Sequence, residues 1–349
     1  MVNTVASFDS NTIQMDSAIH SLVVLGIHRS GTSALAGVLS LLGIELGDAL
    51  MPAMEGINPK GFWEHAEIVS IHDQLLDVLG SSWDDESPLP DQWWHSSLVA
   101  PLRDRIISIL RRDFGNLPVW LIKDPRTCRL LPMWHEILSE LACQPLFILT
   151  LRNPAEVAQS LRKRDDLAEE ASCLLWLTYM LDAEFQTREQ HRVFVAYEHL
   201  LTDWRDTVTN IGQTLNFTWP VSAEDAAHNI ESFLDSSLHH HLGCVTLPDH
   251  PACQMAQQGF ILLSAPIPDP VELDRLRTQA EKFVNLVNPW SKPLHLREKH
   301  IHILENQNSR FESENVALQK EIGRIKSTLS WRITSPLRVT WNTIRKIWK

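Results

Sequence analysis

Several features that define common protein classes are scarce or absent in this sequence of 349 residues, which has only 5 cysteines. The cysteines are scattered without a C-x-x-C pair, which argues against a disulfide framework or a zinc site and favours a reducing compartment. No run approaches the roughly 18 apolar residues that cross a bilayer. The first twenty residues lack the basic and apolar regions of a secretory signal. We therefore expect a disordered segment over 1–20 and a cytoplasmic protein.

Positive charge is also scarce relative to negative charge: 31 lysines and arginines face 43 acidic residues, and the formal net charge is −12. The last nineteen residues carry five basic and no acidic side chains, so the acidic excess lies in the rest of the chain. An acidic body argues against nucleic-acid binding. Segment 330–349 places four apolar residues on one helical face, Leu337, Trp341, Ile344 and Trp348. This basic amphipathic tail is either a peripheral contact with the inner membrane face or a solvated cationic segment.

The most informative absence is a lysine in the segment GIHRSGTSAL, which begins at Gly26. An apolar run precedes this segment and an apolar helical pattern follows it, as in loops that bind phosphate at a helix N-terminus. A nucleoside-triphosphate loop reads G-x-x-x-x-G-K-[ST]. Here Gly26 and Gly31 keep the spacing, Thr32 replaces the lysine, and Arg29 is the fixed cation. The loop therefore suits a phosphate better than a triphosphate with Mg²⁺.

Apolar runs alternate with helical patterns along residues 21–290, which predicts an α/β domain with a doubly wound, mostly parallel sheet. The predicted strands are 21–27, 119–123, 146–151 and 192–197. The predicted helices are 33–42, 98–114, 154–163, 171–190 and 204–215. Two irregular segments, 81–97 and 243–270, are predicted to be either lid or acceptor loops or variable surface loops. Ligands of such sheets bind beyond the carboxyl ends of the strands.

Polar residues follow each predicted strand. Arg152 ends the third strand, and Ser160 and Arg164 lie on the next helix. These residues either hold a second phosphate group or belong to an ordinary exposed basic helix. Lys123 ends the second strand beside Asp124, where it either stabilises charge on a bridging oxygen or forms an ordinary ion pair.

Together these residues resemble the sulfotransferases that use 3′-phosphoadenosine-5′-phosphosulfate (PAPS). In that family an Arg- and Gly-containing loop binds the 5′-phosphosulfate, and a strand-end arginine with a serine eight residues later binds the 3′-phosphate. The resemblance covers about 21–241 and implies a small-molecule sulfate donor, a hydroxyl acceptor and no metal. It assigns donor binding to His28, Arg29, Ser30, Gly31, Thr32, Ser33, Arg152, Ser160, Arg164 and Tyr197. A Lys-Asp-Pro strand end that assists transfer in tyrosyl-protein sulfotransferases matches Lys123.

The sequence offers four candidates for the general base. Glu64 is our first candidate because region 58–76 resembles the acceptor-facing region of bacterial members, and a helix-start carboxylate is the alternative interpretation. His65, His28 and Asp124 are rival candidates. The His run at 239–241 lacks the spacing of a metal site and is interpreted as structural.

Tryptophan is plentiful, with 13 residues, and Trp63, Trp83, Trp93 and Trp94 lie near the predicted site. Tryptophan faces suit sugars, although a core role is common. The terminal SWRITSPLR resembles segments of glycosyltransferases that build bacterial surface polysaccharides. The resulting hypothesis is sulfuryl transfer to a carbohydrate of a cell-surface polysaccharide or glycolipid. The alternatives are a P-loop kinase or other nucleotide-binding enzyme, and a non-catalytic scaffold of polysaccharide biosynthesis.

Segment 296–329 has a seven-residue apolar repeat. One series is Leu304, Phe311, Leu318 and Ile325, and the other is Ile301, Asn308, Asn315, Ile322 and Leu329. The repeat predicts a coiled coil that joins copies of the chain or a partner helix, or else one long helix that packs on the body.

Overall fold

Four parallel strands form the centre of the protein, here described by a computed structural model. The strands are β1 (Ile19–Leu25), β2 (Val119–Lys123), β3 (Cys143–Leu151) and β4 (Arg192–Ala196). Their order in the sheet is β2-β1-β3-β4. Val24 is in register with Lys123, and Leu151 with Ala196, so the carboxyl ends lie along one edge. The predicted α/β class with a parallel sheet is confirmed.

The structure describes the backbone of residues 19–54, 58, 60–234 and 246–327, and the side chains of these residues except 288–307 and 310. The predicted N-terminal segment thus falls outside it as far as residue 18, and β1 includes Ile19 and His20. The predicted basic tail and the 239–241 run also lie outside the described residues.

Continuous apolarity of the strands follows from burial on both faces. Val23 and Leu25 belong to one hydrophobic cluster, whereas Leu22 and Val24 belong to a second cluster across the sheet. All four side chains are buried. Two covered faces require helices on both sides, which the crossovers between parallel strands supply.

Eleven α-helices occur in the described ranges. In chain order they are α1 (Thr32–Leu41), α2 (Ala66–Val78), α3 (Ala100–Phe114), α4 (Thr127–Glu140), α5 (Pro154–Asp165), α6 (Glu169–Thr187), α7 (Tyr197–Thr202), α8 (Trp204–Thr214), α9 (Ala223–Phe233), α10 (Pro251–Leu263) and α11 (Pro270–Ser327). Helices α1, α7, α8 and α9 contribute to the cluster with Leu22, and α2 to α6 contribute to the cluster with Val23.

Two predictions about local structure are corrected. Segment 243–270 contains helix α10 in its described part, because Pro251 occupies the first turn and the His250 ring caps the Ala252 N–H. The last strand ends at Ala196, and Tyr197 begins α7 instead of closing the strand. Five helices do not correspond to any predicted helix, namely α2, α4, α7, α9 and α10, and α4 carries Pro132 within it.

The chain divides into two compact units, residues 1–285 and 286–349. Helix α11 begins in the first unit, where Leu273, Leu276 and Val284 are buried. In the second unit, the described side chains of residues 308–327 are exposed. No helix in the described part of the chain combines the length and apolarity of a bilayer-spanning segment.

Candidate active site

The loop between β1 and α1 is held in place by buried hydroxyl groups. The Ser30 hydroxyl donates to the Ile27 carbonyl at 2.7 Å and lies 3.0 Å from the Thr150 hydroxyl, which donates to the Leu25 carbonyl. Ser30 is fully buried. Its side chain therefore shapes the loop rather than facing the space beyond the sheet edge.

Gly31 needs to be glycine for two reasons. Its φ of 94° lies in the left-handed region, and a Cβ there would overlap the Tyr197 ring. Helix α1 begins immediately afterwards at Thr32. The first N–H groups of a helix have no carbonyl partner within it, so this end of α1 favours an anion.

Three arginines converge beside the loop. The Arg29 Nε donates to the Ser160 hydroxyl at 2.8 Å, and the Arg152 Nη1 donates to the Arg29 carbonyl at 2.9 Å. Burial, followed by the charges of Arg164 and Arg152, lowers the pKa of Arg29. The positive charges of these side chains repel one another, and a bound anion would relieve that repulsion. The loop after β1 therefore contacts both the end of β3 and helix α5, as the sequence predicts.

Aromatic rings and carboxylates hold two of these arginines. The Arg152 guanidinium lies 4.6 Å from the Tyr197 ring centroid, and its Nε donates to Glu156 at 2.9 Å. Arg164 lies 5.4 Å from the Trp83 ring centroid and donates to the adjacent Asp165 carboxylate. The Tyr197 ring thus positions both Gly31 and Arg152.

Lys123 joins the loop to the acceptor-facing region predicted from sequence. Its Nζ donates to the Ser33 hydroxyl at 3.1 Å and to Glu64 Oε1 at 2.5 Å. Ser33 also donates to the Phe62 carbonyl at 3.2 Å and accepts from the Asn58 amide at 3.3 Å. The two residues predicted to be catalytic are therefore neighbours, and both are buried.

The environment of Glu64 makes its carboxylate a stronger base than an exposed one. Burial raises the pKa of Glu64, and the positive charge of Lys123 opposes that shift. Burial is the larger effect, so the pKa lies above its usual range. A carboxyl group with a raised pKa is a stronger base than an exposed one.

Two rival bases already have partners. Asp124 accepts from the His72 ring at 2.8 Å and from the backbone and side chain of Arg126 at 3.0 Å. Despite its burial, the Arg126 charge and the His72 hydrogen bond hold the pKa of Asp124 well below its usual range. His65 is buried, its Nε2 lies 2.9 Å from Asp113, and its Nδ1 has no hydrogen-bond partner among the described residues. Asp124 is therefore poorly placed to take a proton from an acceptor, whereas the Nδ1 atom of His65 is not engaged by any described residue.

His28 retains the chemistry of a base. Its Nε2 is buried without a hydrogen-bond partner among the described residues. The ring lies 4.7 Å from the Trp83 ring and 6.4 Å from the Tyr179 ring. Burial and the charges of Arg126 and Arg164 lower the pKa of His28 well below its usual value, so the imidazole is neutral at pH 7.

Sequence reasoning missed the network beneath the site. The Trp134 indole donates to His72 Nε2 at 3.0 Å, which leaves Nδ1 to donate to Asp124. Arg126 continues the network to Asp73 at 2.6 Å. Nothing in the spacing of these residues indicates the contacts, because they come from α2, the end of β2 and α4.

Two further clusters lie outside this arrangement. Trp93 and Trp94 border a cavity of about 470 Å³ that α4 and α6 also line. Of the four tryptophans predicted to lie near the site, Trp83 is the one whose ring contacts His28. His65, Glu67 and Asp113 could hold a metal ion by position. Arg112 already pairs with both carboxylates at 2.6 Å.

Comparison with known proteins gives no family model and no curated protein that matches the chain. Among solved structures, the sulfotransferase domain of the curacin biosynthetic pathway is 16% identical, with a TM-score of 0.40, over 72% of this chain and 100% of that domain. The sulfotransferase domain of the Synechococcus PCC 7002 olefin synthase is 20% identical, with a TM-score of 0.37, over 78% of this chain and 97% of that domain.

A sulfotransferase from Mycobacterium tuberculosis H37Rv is 14% identical, with a TM-score of 0.39, over 70% of this chain and 76% of that one.

Proposed function

We propose that this protein is a sulfotransferase that moves a sulfuryl group from PAPS to a hydroxyl acceptor. The proposal rests on the direct contact between two anion-binding groups at one sheet edge, the loop after β1 and the end of β3 with α5. The Arg29 side chain contacts Ser160 at 2.8 Å, and the Arg152 side chain contacts the Arg29 carbonyl at 2.9 Å. A donor with a phosphosulfate arm and a separate 3′-phosphate matches two such groups without a metal ion.

In the proposed reaction the acceptor oxygen forms a bond to sulfur while the bond from sulfur to the bridging oxygen of the donor breaks. The electron pair of the breaking bond goes to the bridging oxygen, and adenosine 3′,5′-bisphosphate leaves. The Lys123 ammonium stabilises charge on that oxygen, and the Glu64 carboxylate takes the acceptor proton. Before this step, donor binding draws Lys123 from Glu64 to the bridging oxygen, which frees the Glu64 carboxylate to accept the proton.

The acceptor proposed for this site is a carbohydrate of a cell-surface polysaccharide or glycolipid. The Trp83 ring beside His28 offers the kind of aromatic face on which sugars pack. His28 Nε2, buried and without a described partner, can accept from an acceptor hydroxyl.

The hydrogen bonds that Asp124 accepts argue against the kinase alternative. A nucleoside-triphosphate enzyme needs a carboxylate near the loop for Mg²⁺. Asp124 ends β2 in that position, but its oxygens accept from His72 and Arg126. Thr32 stands where the triphosphate lysine would be.

Donor binding is the first test. Adenosine 3′,5′-bisphosphate should raise the unfolding temperature, and ATP with Mg²⁺ at the same concentration should raise it much less, since a ligand that binds only the folded state stabilises it. Arg29→Ala and Arg152→Ala should abolish the shift. Arg162→Ala is the matched control, because Arg162 lies on the same helix as Ser160 but is exposed and pairs with Glu169.

Unchanged affinity of Arg29→Ala and Arg152→Ala in calorimetry would overturn the proposed donor site. A preference for ATP with Mg²⁺ would support the kinase alternative. Donor binding without transfer to any glycoside in a broad panel would instead support the scaffold alternative.

A further inference from the structure

We propose that residues 308–327 of α11 form a parallel, in-register, two-stranded coiled coil with a second copy of this chain. The described side chains of this segment are all exposed. Phe311 is 61% exposed, Leu318 56% and Ile322 49%, which is unusual for apolar residues spaced along a single helix. These positions belong to the seven-residue repeat, so they lie on one stripe of the helix.

The two asparagines of the repeat select the orientation. Asn308 and Asn315 occupy the a positions of the heptad, and Phe311 and Leu318 occupy the d positions. In a parallel coil that is in register, each a residue faces the same residue of the second copy. Each asparagine amide then meets another amide, which can donate and accept in return.

An antiparallel coil that overlaps the same positions has worse contacts, since a positions then face d positions. Asn315 would lie opposite Leu318 and leave a polar amide without a partner in an apolar layer. Glu314 and Glu321 occupy g positions, and the antiparallel arrangement places them opposite one another. Like charges at facing positions are unfavourable.

Charge at the flanking positions also favours the parallel coil. A g residue of one helix faces the following e residue of the other, five positions further along. Glu321 therefore faces Lys326 of the second copy, and Glu314 faces Gln319.

The mass of the full-length protein tests the pairing. Light scattering after size exclusion should give twice the 39.8 kDa of one chain. Leu318→Glu should halve that mass. Val316→Glu is the matched control, because Val316 is also apolar and 53% exposed but lies at a b position outside the stripe. A monomeric parent protein, or a Leu318→Glu variant that stays dimeric, would overturn the proposal.

Disulfide trapping tests orientation and register. Asn308→Cys in a Cys244→Ser background should form a covalent dimer on mild oxidation, because a parallel coil brings the two 308 positions together. The four other cysteines are buried and leave little background. A dimeric parent in which Asn308→Cys forms no covalent dimer, while Asn308→Cys mixed with Ile325→Cys does, would show the antiparallel coil instead. Retained thermal stabilisation by adenosine 3′,5′-bisphosphate verifies that each variant is folded.

Discussion

At the scale of single residues, the proposed reaction depends on which group takes the acceptor proton. Asp124 is held by His72 and Arg126, which leaves Glu64, the Nε2 atom of His28 and the Nδ1 atom of His65 as candidates. Glu64 contacts Lys123 at 2.5 Å, and Lys123 contacts Ser33 at the start of α1. The proximity of Glu64 to the residue proposed to stabilise the leaving group favours Glu64 as the base.

Glu64→Gln should therefore lower kcat on the order of 10²–10⁴-fold while donor binding is kept, since that is the usual effect of losing a general base. His28→Gln should change kcat by less than about tenfold, because it loses only a positioning contact. The measurement is transfer of radiolabelled sulfate from PAPS to a panel of simple glycosides. A larger loss in His28→Gln than in Glu64→Gln would assign the base to His28.

The pH dependence of kcat provides the second readout of the same prediction. The base must be deprotonated, and the pKa of Glu64 is raised above its ordinary value of 4.5. The rate should thus rise with pH through the raised pKa, above the range of an exposed carboxyl. This rise should persist in His28→Gln and disappear in Glu64→Gln.

At the scale of elements, a buried network fixes the end of β2 against α2 and α4. Asp124 connects His72 of α2 to Arg126 before α4, and Trp134 of α4 completes the network through His72. Lys123 is the neighbour of Asp124 in sequence. The network therefore determines where the proposed catalytic lysine lies.

Asp124→Ala should lower the free energy of unfolding by about 3–5 kcal/mol, because it leaves a buried arginine and histidine without their carboxylate. Urea denaturation followed by tryptophan fluorescence measures the change. Glu231→Ala is the control: its pair with Arg205 has the similar distance of 2.8 Å but is exposed, so the expected loss is about 0–1 kcal/mol. Similar losses in the two variants would contradict the proposed role of the network.

The contribution of Asp124 to stability depends on pH, because folding lowers its pKa. The pKa of Asp124 is lowered from 3.8 in the folded protein. Its stabilising contribution is therefore complete above about pH 4 and is lost as the pH falls through the lowered value. The difference in stability between the parent protein and Asp124→Ala should shrink on acidification.

At the scale of the whole molecule, a chain with a net charge of −12 carries a cluster of four cations. Arg29, Arg152, Arg164 and Lys123 gather at one sheet edge, and Glu64, Glu156 and Asp165 pair with three of them. The local cations must overcome the repulsion between the molecule and an anionic donor.

Binding of adenosine 3′,5′-bisphosphate should weaken on the order of tenfold when salt rises from about 0.05 to about 0.5 M, because salt screens the local attraction. Isothermal calorimetry at a series of salt concentrations measures the change. Arg162→Ala should keep the parent's salt dependence, since its exposed side chain already pairs with Glu169. Binding that strengthens steadily with salt would mean that the acidic body, rather than the arginines, dominates the field at the site.

The sequence by itself determined the parallel α/β sheet and the loop after β1. Continuous apolar strands separated by helical patterns require a sheet covered on both faces, and the glycine spacing before an apolar helix requires a turn into a helix N-terminus. It also singled out Lys123 and Arg152, because charged residues directly after buried strands gather at one edge of a parallel sheet.

Only the tertiary structure decided which of these groups have partners. Ser30 has a hydroxyl that suits a phosphate, but the fold directs it to the Ile27 carbonyl. Asp124 and Glu64 are both buried carboxylates near the loop, and burial raises the pKa of each. The Arg126 charge and the His72 hydrogen bond outweigh burial at Asp124, whereas burial outweighs the Lys123 charge at Glu64, so the two pKa values lie on opposite sides of the ordinary range. Hydrogen bonding and burial depend on contacts between residues far apart in the chain, so local sequence patterns could not separate the structural carboxylate from the candidate base.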